Sequence, residues 1–133
     1  MEIRDKAPVN WVKRRVSCTV DDVFEALLTR LEADIGEKKD VHPDSDFTVH
    51  KKVVGDVVTK VAIRGRKESG RTPIVELKKK GDHIQIHGTE SDMFKVTPRW
   101  DKNQAECNLF VGKKRLDLWQ ISHLALYPLF FRD

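Results

Sequence analysis

The chain has 133 residues, 39% of them apolar and 35% charged, which is typical of one folded domain and excludes a disordered chain. Its net charge of +4 is unevenly distributed, because residues 47–80 carry ten basic and three acidic side chains, whereas residues 1–46 carry eight basic and eleven acidic ones. No apolar run approaches the roughly 20 residues that span a bilayer, and the N-terminus lacks a signal-peptide pattern, so we expect a single intracellular domain over residues 1–133, in the cytoplasm or nucleus.

The first two predicted elements are a strand and a helix. Residues 9–18 are rich in β-branched and aromatic types, which favours a strand. Residues 19–35 carry apolar side chains at the spacing of one helical face, which predicts one long amphipathic helix packed on the core. Thr19 is in position to cap the N-terminus of this helix, and Gly36 is in position to end it. A polar loop is expected over residues 37–46.

Alternation of apolar and polar residues then predicts a succession of antiparallel strands. One hairpin turns at Gly55 and a second at Gly81. Two further strands are expected between residues 94 and 111, where Pro98 argues for an edge position. The sequence thus predicts an antiparallel meander of about five to seven strands.

The last segment is nearly all apolar from Arg115 to Phe131 and allows two interpretations. Asp117 followed by Gln120 is an N-terminal capping signal, which favours a short C-terminal helix that Pro128 would end. The alternative is a final strand. Together the elements predict an α+β fold in which the helices cover one face of the sheet.

The basic side chains of residues 47–80 lie in strand-like sequence, which predicts a sheet with one basic face. Such a face attracts anions. The leading hypothesis is therefore a non-enzymatic binding module that engages a polyanion, either nucleic acid or anionic lipid, or an acidic protein partner. The candidate polyanion-binding residues are Lys51, Lys52, Lys60, Arg64, Arg66, Lys67, Arg71, Lys78, Lys79 and Lys80.

A second hypothesis is a metal-dependent nuclease. Glu76 and Lys78 form an apolar-flanked Glu-x-Lys motif, with Asp56 twenty residues upstream of the glutamate. In such enzymes an acid pair binds Mg²⁺ and a lysine orients the attacking water. The same motif also arises in charged strands, where the glutamate pairs with a lysine across the sheet. Apart from it we expect no metal and no cofactor, because His83 and His87 lie about 13 Å apart along a strand.

The apolar C-terminus supports a third hypothesis, a protein-interaction subunit that docks through Leu129, Phe130 and Phe131. The alternative is that these residues fold back into the core of their own chain. The two cysteines, Cys18 and Cys107, have no motif around them and are predicted to be buried thiols. A disulfide between them would require neighbouring strands.

Overall fold

Within the described residues, three helices lie beside one antiparallel sheet. The computed structural model of the protein describes residues 10–66, 72–89 and 91–131. The elements in chain order are α1 (Trp11–Val16), α2 (Val20–Val41), β1 (Thr48–Val54), β2 (Val57–Arg64), β3 (Ile74–Lys80), β4 (His83–Gly88), β5 (Ser91–Asp101), β6 (Glu106–Val111), β7 (Lys114–Leu116) and α3 (Leu118–Phe130). This order confirms the predicted α+β fold.

The segment predicted as the first strand is helical instead. α1 is a six-residue helix. All of its side chains are exposed, so none of them packs in the core. A helix without a buried face leaves no apolar periodicity in its sequence. The β-branched and aromatic composition of Trp11, Val12 and Val16 was therefore a misleading signal.

α2 is the helix predicted from the apolar spacing after residue 19. The hydroxyl of Thr19 accepts a hydrogen bond from the backbone N–H of Asp22 at 3.2 Å, as an N-cap does. The predicted end at Gly36 is wrong, because the helix continues to Val41 and stops shortly before Pro43, which disfavours helical backbone at the residue preceding it. Its buried face consists of Val23, Phe24, Leu27, Leu28, Leu31 and Ile35.

The seven strands follow one another in the sheet in chain order from β1 to β7. This confirms the predicted meander, including the hairpins at Gly55 and Gly81. Gly55 has a φ of 64°, a left-handed backbone that glycine adopts without strain. Because every strand pairs with its neighbour in the chain, the register can be followed directly across the whole sheet.

Pro98 lies in β5, which pairs with both β4 and β6 and is therefore not the edge strand that was predicted. β4 pairs with β5 only as far as Val96, whereas the pairing with β6 continues to Asp101. Beyond Val96 the strand is paired on one side only. Such a segment tolerates a residue that has no backbone N–H.

α3 confirms the helical interpretation of the C-terminal segment. The backbone N–H of Asp117 donates to Oε1 of Gln120 at 2.8 Å in a capping box. Pro128 does not end the helix as predicted, since α3 continues to Phe130. Burial of Leu129 offsets the one hydrogen bond that the proline removes. In the described ranges, no helix has both the length and the apolar character needed to cross a membrane.

α2 and α3 pack against each other and cover one face of the sheet, which we call the inner face. The Ser122 hydroxyl of α3 donates a hydrogen bond to the Asp34 carboxylate of α2. Because side chains alternate along a strand, the residues between the inner ones belong to the opposite side, the outer face. The buried strand residues of the inner face are Val61, Ile63, Val75, Leu77, Ile84, Ile86, Val96 and Leu109.

Cys18 and Cys107 form a disulfide, so the prediction of two thiols is wrong. Their Cα atoms are 5.4 Å apart although 89 residues separate them in the chain. Cys18 lies between α1 and α2, and Cys107 lies in β6. Their proximity arises from the tertiary structure, which the spacing of two isolated cysteines does not reveal.

Candidate functional site

One line of side chains crosses the outer face from β1 to β5. Neighbouring strands are about 4.8 Å apart, so a line over five strands spans roughly 19 Å. Four of its five members are lysines, and we call it the lysine row. Its members lie opposite one another on successive strands and are Lys52, Lys60, Lys78, Gln85 and Lys95.

Little negative charge neutralises the lysine row. The ammonium of Lys60 lies 3.6 Å from the Glu76 carboxylate, and each of these side chains is 34% exposed. Among the described residues, no carboxylate lies within ion-pair distance of Lys52, Lys78 or Lys95. Like charges directly opposite each other across two strands destabilise a sheet. The row therefore contains two repulsive pairs, Lys52 with Lys60 and Lys60 with Lys78.

Further basic side chains extend the outer face on both sides of the row. Arg99 lies over the Phe110 ring, 5.5 Å from its centroid, and Arg115 forms an ion pair with Glu106 at 3.2 Å. The ring of Phe110 is therefore covered by a guanidinium. By strand alternation, the basic residues outside the row are Arg64, Lys80, Arg99 and Arg115.

Asp82 lies in the turn between β3 and β4, beside the outer face. Its carboxylate is 2.9 Å from Nδ1 of His83. The hydrogen bond with His83 is the main cause that lowers the pKa of Asp82 below its ordinary value, and the positive charge of Lys95 makes a smaller contribution in the same direction. Lys95 thus lies close enough to the turn to affect Asp82.

Two of the predicted polyanion-binding residues belong to the inner face. Lys51 forms an ion pair with Glu32 of α2 at 2.9 Å. Lys79 forms one with Asp21 of α2 at 3.0 Å, and only 11% of its side chain is exposed. Each lysine is offset by one residue from a member of the lysine row, so alternation turns it toward the helices. Both attach the sheet to α2 and do not contribute to the outer face.

The remaining candidates lie around the loop after β2. Arg66 is exposed just beyond the end of that strand. Lys67 and Arg71 lie outside the described residues. Conversely, sequence reasoning missed Lys95, which is far from residues 47–80 in the chain and joins the row through the pairing of β5 with β4. The alternation of Lys95 with apolar Phe94 and Val96 was the signal that could have identified it.

The structure does not bring the three candidate nuclease residues together. Glu76 and Lys78 lie on the outer face of β3, and Glu76 is opposite Ala62 of β2. Asp56 precedes β2 by one residue and is six residues from Ala62, about 20 Å along an extended strand. Carboxylates so far apart do not share a magnesium ion. Within the described ranges, no three His, Cys, Asp or Glu side chains are grouped as metal ligands.

The C-terminal residues predicted to dock on a partner differ in their surroundings. Leu129 is buried in the core, and the ring centroid of Phe130 lies 5.0 Å from that of Phe47. Phe131 is 44% exposed. The fold-back interpretation thus describes Leu129 and Phe130, whereas Phe131 remains at the surface.

Phe131 ends an aromatic stripe on the surface of α3 that sequence reasoning missed. Trp119, His123, Tyr127 and Phe131 recur every four residues, and the last three have successive ring centroids 5.2 and 5.3 Å apart. Leu124 is exposed beside them. The signal was present in the sequence, because residues 118–130 contain no Asp, Glu, Lys or Arg at all.

Comparison of the chain with models of known protein families, with curated proteins and with solved structures finds no match. Any function of the outer face must therefore be inferred from its geometry and charge. The lysine row is the feature that folding alone explains least, since two of its neighbouring pairs repel each other.

Proposed function

We propose that this protein binds the phosphate backbone of a nucleic acid through the outer face of its sheet. The observation that carries the proposal is the lysine row, in which Lys52, Lys60, Lys78 and Lys95 share one line across five strands. Duplex DNA carries one negative charge per about 1.7 Å of its axis with both strands counted, so a length of roughly 19 Å carries about 11 phosphate charges, part of them on the side toward the row. A linear anion of this density matches a linear array of cations.

The repulsion within the row also supports a bound polyanion. Lys60 is opposite a lysine on each side, and Glu76 is the carboxylate that lies near it. A phosphate placed between two of these lysines would replace repulsion by attraction and release condensed counterions. The charge that opposes folding would then favour binding.

Surrounding residues favour a nucleic-acid backbone over a bilayer or a base-stacking mode. The neighbours of the row along the strands include the polar side chains His50, Glu76, His83 and His87 and one exposed apolar side chain, Met93, which contacts Gln85. Membrane-surface binding combines cations with a larger exposed apolar surface. Arg99 lies over the Phe110 ring, 5.5 Å from its centroid, so the guanidinium competes with a base for that side of the ring. We therefore expect binding that depends on salt and not on base sequence.

The cytoplasmic or nuclear location expected from the sequence stays a prediction. Disulfides persist mainly in oxidising surroundings, so the bond between Cys18 and Cys107 favours a compartment outside the cytosol. Binding should accordingly be measured on protein kept free of reductant.

Fluorescence anisotropy with a labelled 20-nucleotide duplex and the matching single strand tests the proposal. The triple variant Lys52→Gln, Lys78→Gln, Lys95→Gln removes three cations and keeps Lys60 with its partner Glu76. We expect the affinity to fall at least about tenfold at low salt, and the slope of log affinity against log salt to decrease by about 2 to 3, because each phosphate contact contributes about 0.7 to 0.9.

The matched control is Lys39→Gln, Lys102→Gln, Lys113→Gln, which removes the same charge at exposed positions of α2 and of two turns. This control should keep most of the affinity. Equal losses in both triple variants, or no binding by the unmodified protein at low salt, would overturn the proposal. Retention of the protein by liposomes that contain phosphatidylserine, without retention by either nucleic acid, would assign the face to lipid instead.

A further inference from the structure

α1 is too short to be a stable helix by itself. It has six residues, whereas isolated helices shorter than about 12 to 15 residues are marginal in water. None of its residues is buried, so it gains no stability from packing in the core. Attachments to the rest of the chain must therefore keep it helical.

A cation–π contact and a disulfide join α1 to the sheet. The guanidinium of Arg15 lies over the Trp100 ring of β5, 5.9 Å from its centroid, and such a contact is weak at an exposed site. Cys18 follows the helix by two residues and is bonded to Cys107 of β6, a strand that α1 contacts. The disulfide is covalent and is therefore the stronger attachment.

The two elements on the other side of the disulfide are also held by packing of their own. α2 begins two residues after Cys18 and buries an apolar face in the core. β6 pairs with β5 along its whole length, from Glu106 to Val111, and Leu109 is buried. Opening the disulfide leaves α2 and β6 these contacts, whereas α1 loses its main attachment.

The disulfide lies where a small thiol can approach it. Cys18 and Cys107 are each partly exposed, and Cys107 also lines a groove beside α1. Disulfides persist in oxidising compartments, whereas those found in reducing compartments are usually transient and often sense redox conditions. A change in redox conditions would therefore act on this bond.

We propose that the disulfide is a redox switch, which holds α1 against β6 when it is oxidised and releases α1 when it is reduced. In the reduced protein α1 unfolds, while α2, the sheet and α3 stay assembled. The switch is separate from the lysine row and does not depend on the function proposed for the outer face.

Release changes where the positive charge of α1 is presented. Lys13, Arg14 and Arg15 are consecutive and exposed, and none of them has an ion pair with any residue of the described ranges. In the oxidised protein these three charges are fixed beside β6. In the reduced protein they belong to a flexible basic segment that precedes α2.

Reduction by a dithiol breaks one sulfur–sulfur bond and transfers two electrons to the protein. A thiolate of the dithiol attacks one cysteine sulfur, and the other cysteine leaves as a thiolate. The second sulfur of the dithiol then displaces the attacked cysteine and closes a cyclic disulfide. Each cysteine takes up one proton, so the protein gains the two hydrogens that the dithiol loses.

Amide hydrogen exchange, followed by NMR with and without dithiothreitol, tests the switch. In α1 the Arg14 amide donates to the Asn10 carbonyl at 3.1 Å, and the Ser17 amide donates to the Lys13 carbonyl at 2.9 Å. We expect both amides to exchange at least about tenfold faster after reduction and to reach the rate of an unstructured peptide. The amide of Leu27, in the buried face of α2, should stay at least about a hundredfold slower than that rate.

Two variants separate the disulfide from the other causes of protection. The double variant Cys18→Ser, Cys107→Ser should show unprotected α1 amides without dithiothreitol and no further change when it is added. The matched control is Arg15→Gln, which removes the cation–π contact and keeps the disulfide. Its α1 amides should stay protected in the oxidised state.

Reduction of the unmodified protein decides the question even if the double variant does not fold. Loss of protection throughout α2 on reduction would overturn the proposal, because the disulfide would then hold the whole fold. Equal protection of α1 in both redox states would also overturn it. So would loss of that protection in oxidised Arg15→Gln, because the cation–π contact would then be the main attachment.

Discussion

The two faces of the sheet are built from alternate residues of the same strands, yet their lysines differ in whether a carboxylate lies nearby. On the inner face, Lys51 and Lys79 each meet a carboxylate of α2 at 2.9 and 3.0 Å. On the outer face, Lys52 and Lys78, one residue away, have no such partner among the described residues. The chain neutralises both lysines where helix and sheet pack, and it leaves Lys52 and Lys78 unpaired on the face that α2 and α3 do not cover. The outer charge is therefore not a requirement of the fold.

Removing the last six residues should cause the largest loss of unfolding free energy, because it removes part of the packing against the inner face. Deletion of residues 128–133 takes Leu129 from the core and Phe130 from its contact with Phe47, for a loss of about 4 kcal/mol in unfolding free energy. Urea unfolding followed by circular dichroism measures this loss. The single change Phe131→Ser, at a half-exposed position, should cost under about 1 kcal/mol. A truncated chain as stable as the intact one would contradict the packing of α3.

A cavity under α2 should have the next largest effect. Leu27 is fully buried, so Leu27→Ala should lower the unfolding free energy by roughly 2 to 5 kcal/mol. Leu124→Ala is the control on α3, where the side chain is 43% exposed and the loss should stay below about 1 kcal/mol. Thermal and urea unfolding of both variants provide the comparison. Equal losses would mean that the two leucines are packed alike.

Two adjacent lysines of β3 should change stability in opposite directions. Lys78→Gln relieves repulsion from Lys60 and should raise the unfolding free energy by about 0.5 kcal/mol at low ionic strength. Lys79→Gln removes the partner of Asp21 and should lower it by a similar amount, about 0.5 kcal/mol. Both effects should shrink in 1 M salt, where the Debye length is about 3 Å. Changes of the same sign would show that the two faces do not differ in the way described.

The smallest effect concerns the turn beside the lysine row. His83→Ala removes the hydrogen bond that lowers the pKa of Asp82, so that pKa should rise toward its ordinary value. A lowered folded-state pKa stabilises the fold above the unfolded pKa, and this contribution is lost as the pH falls through the folded pKa. The variant should therefore lose less stability on acidification. Carboxyl NMR titration measures the pKa, and His87→Ala, farther along β4, should leave it unchanged.

The elements that sequence reasoning identified are those whose side chains enter the core. The apolar face and the N-cap residue Thr19 predicted α2, and the capping signal at Asp117 predicted α3. α1 buries no side chain, so its sequence has no helical spacing of apolar residues by which it could be predicted. Gly36 and Pro128 were taken as helix ends, and both helices continue past them. Burial of Leu129 supports the last turn of α3. Beyond Gly36, α2 buries no side chain, and its continuation agrees with the helix-forming residues Glu37, Lys38 and Lys39.

The candidate sites were less predictable because they are assembled from distant segments. The basic stretch indicated an outer face, but only the register could separate Lys52 from Lys51 or add Lys95.

The disulfide also turns most of the chain into a covalent ring. This ring runs from Cys18 to Cys107 and contains α2 and the first five strands, while α1, β7 and α3 lie outside it. A single peptide-bond cleavage within the ring leaves the two fragments joined through sulfur. The protein cut in any one of the turns from β1 to β5 would therefore migrate as one molecule in a non-reducing gel and separate into two pieces only after reduction.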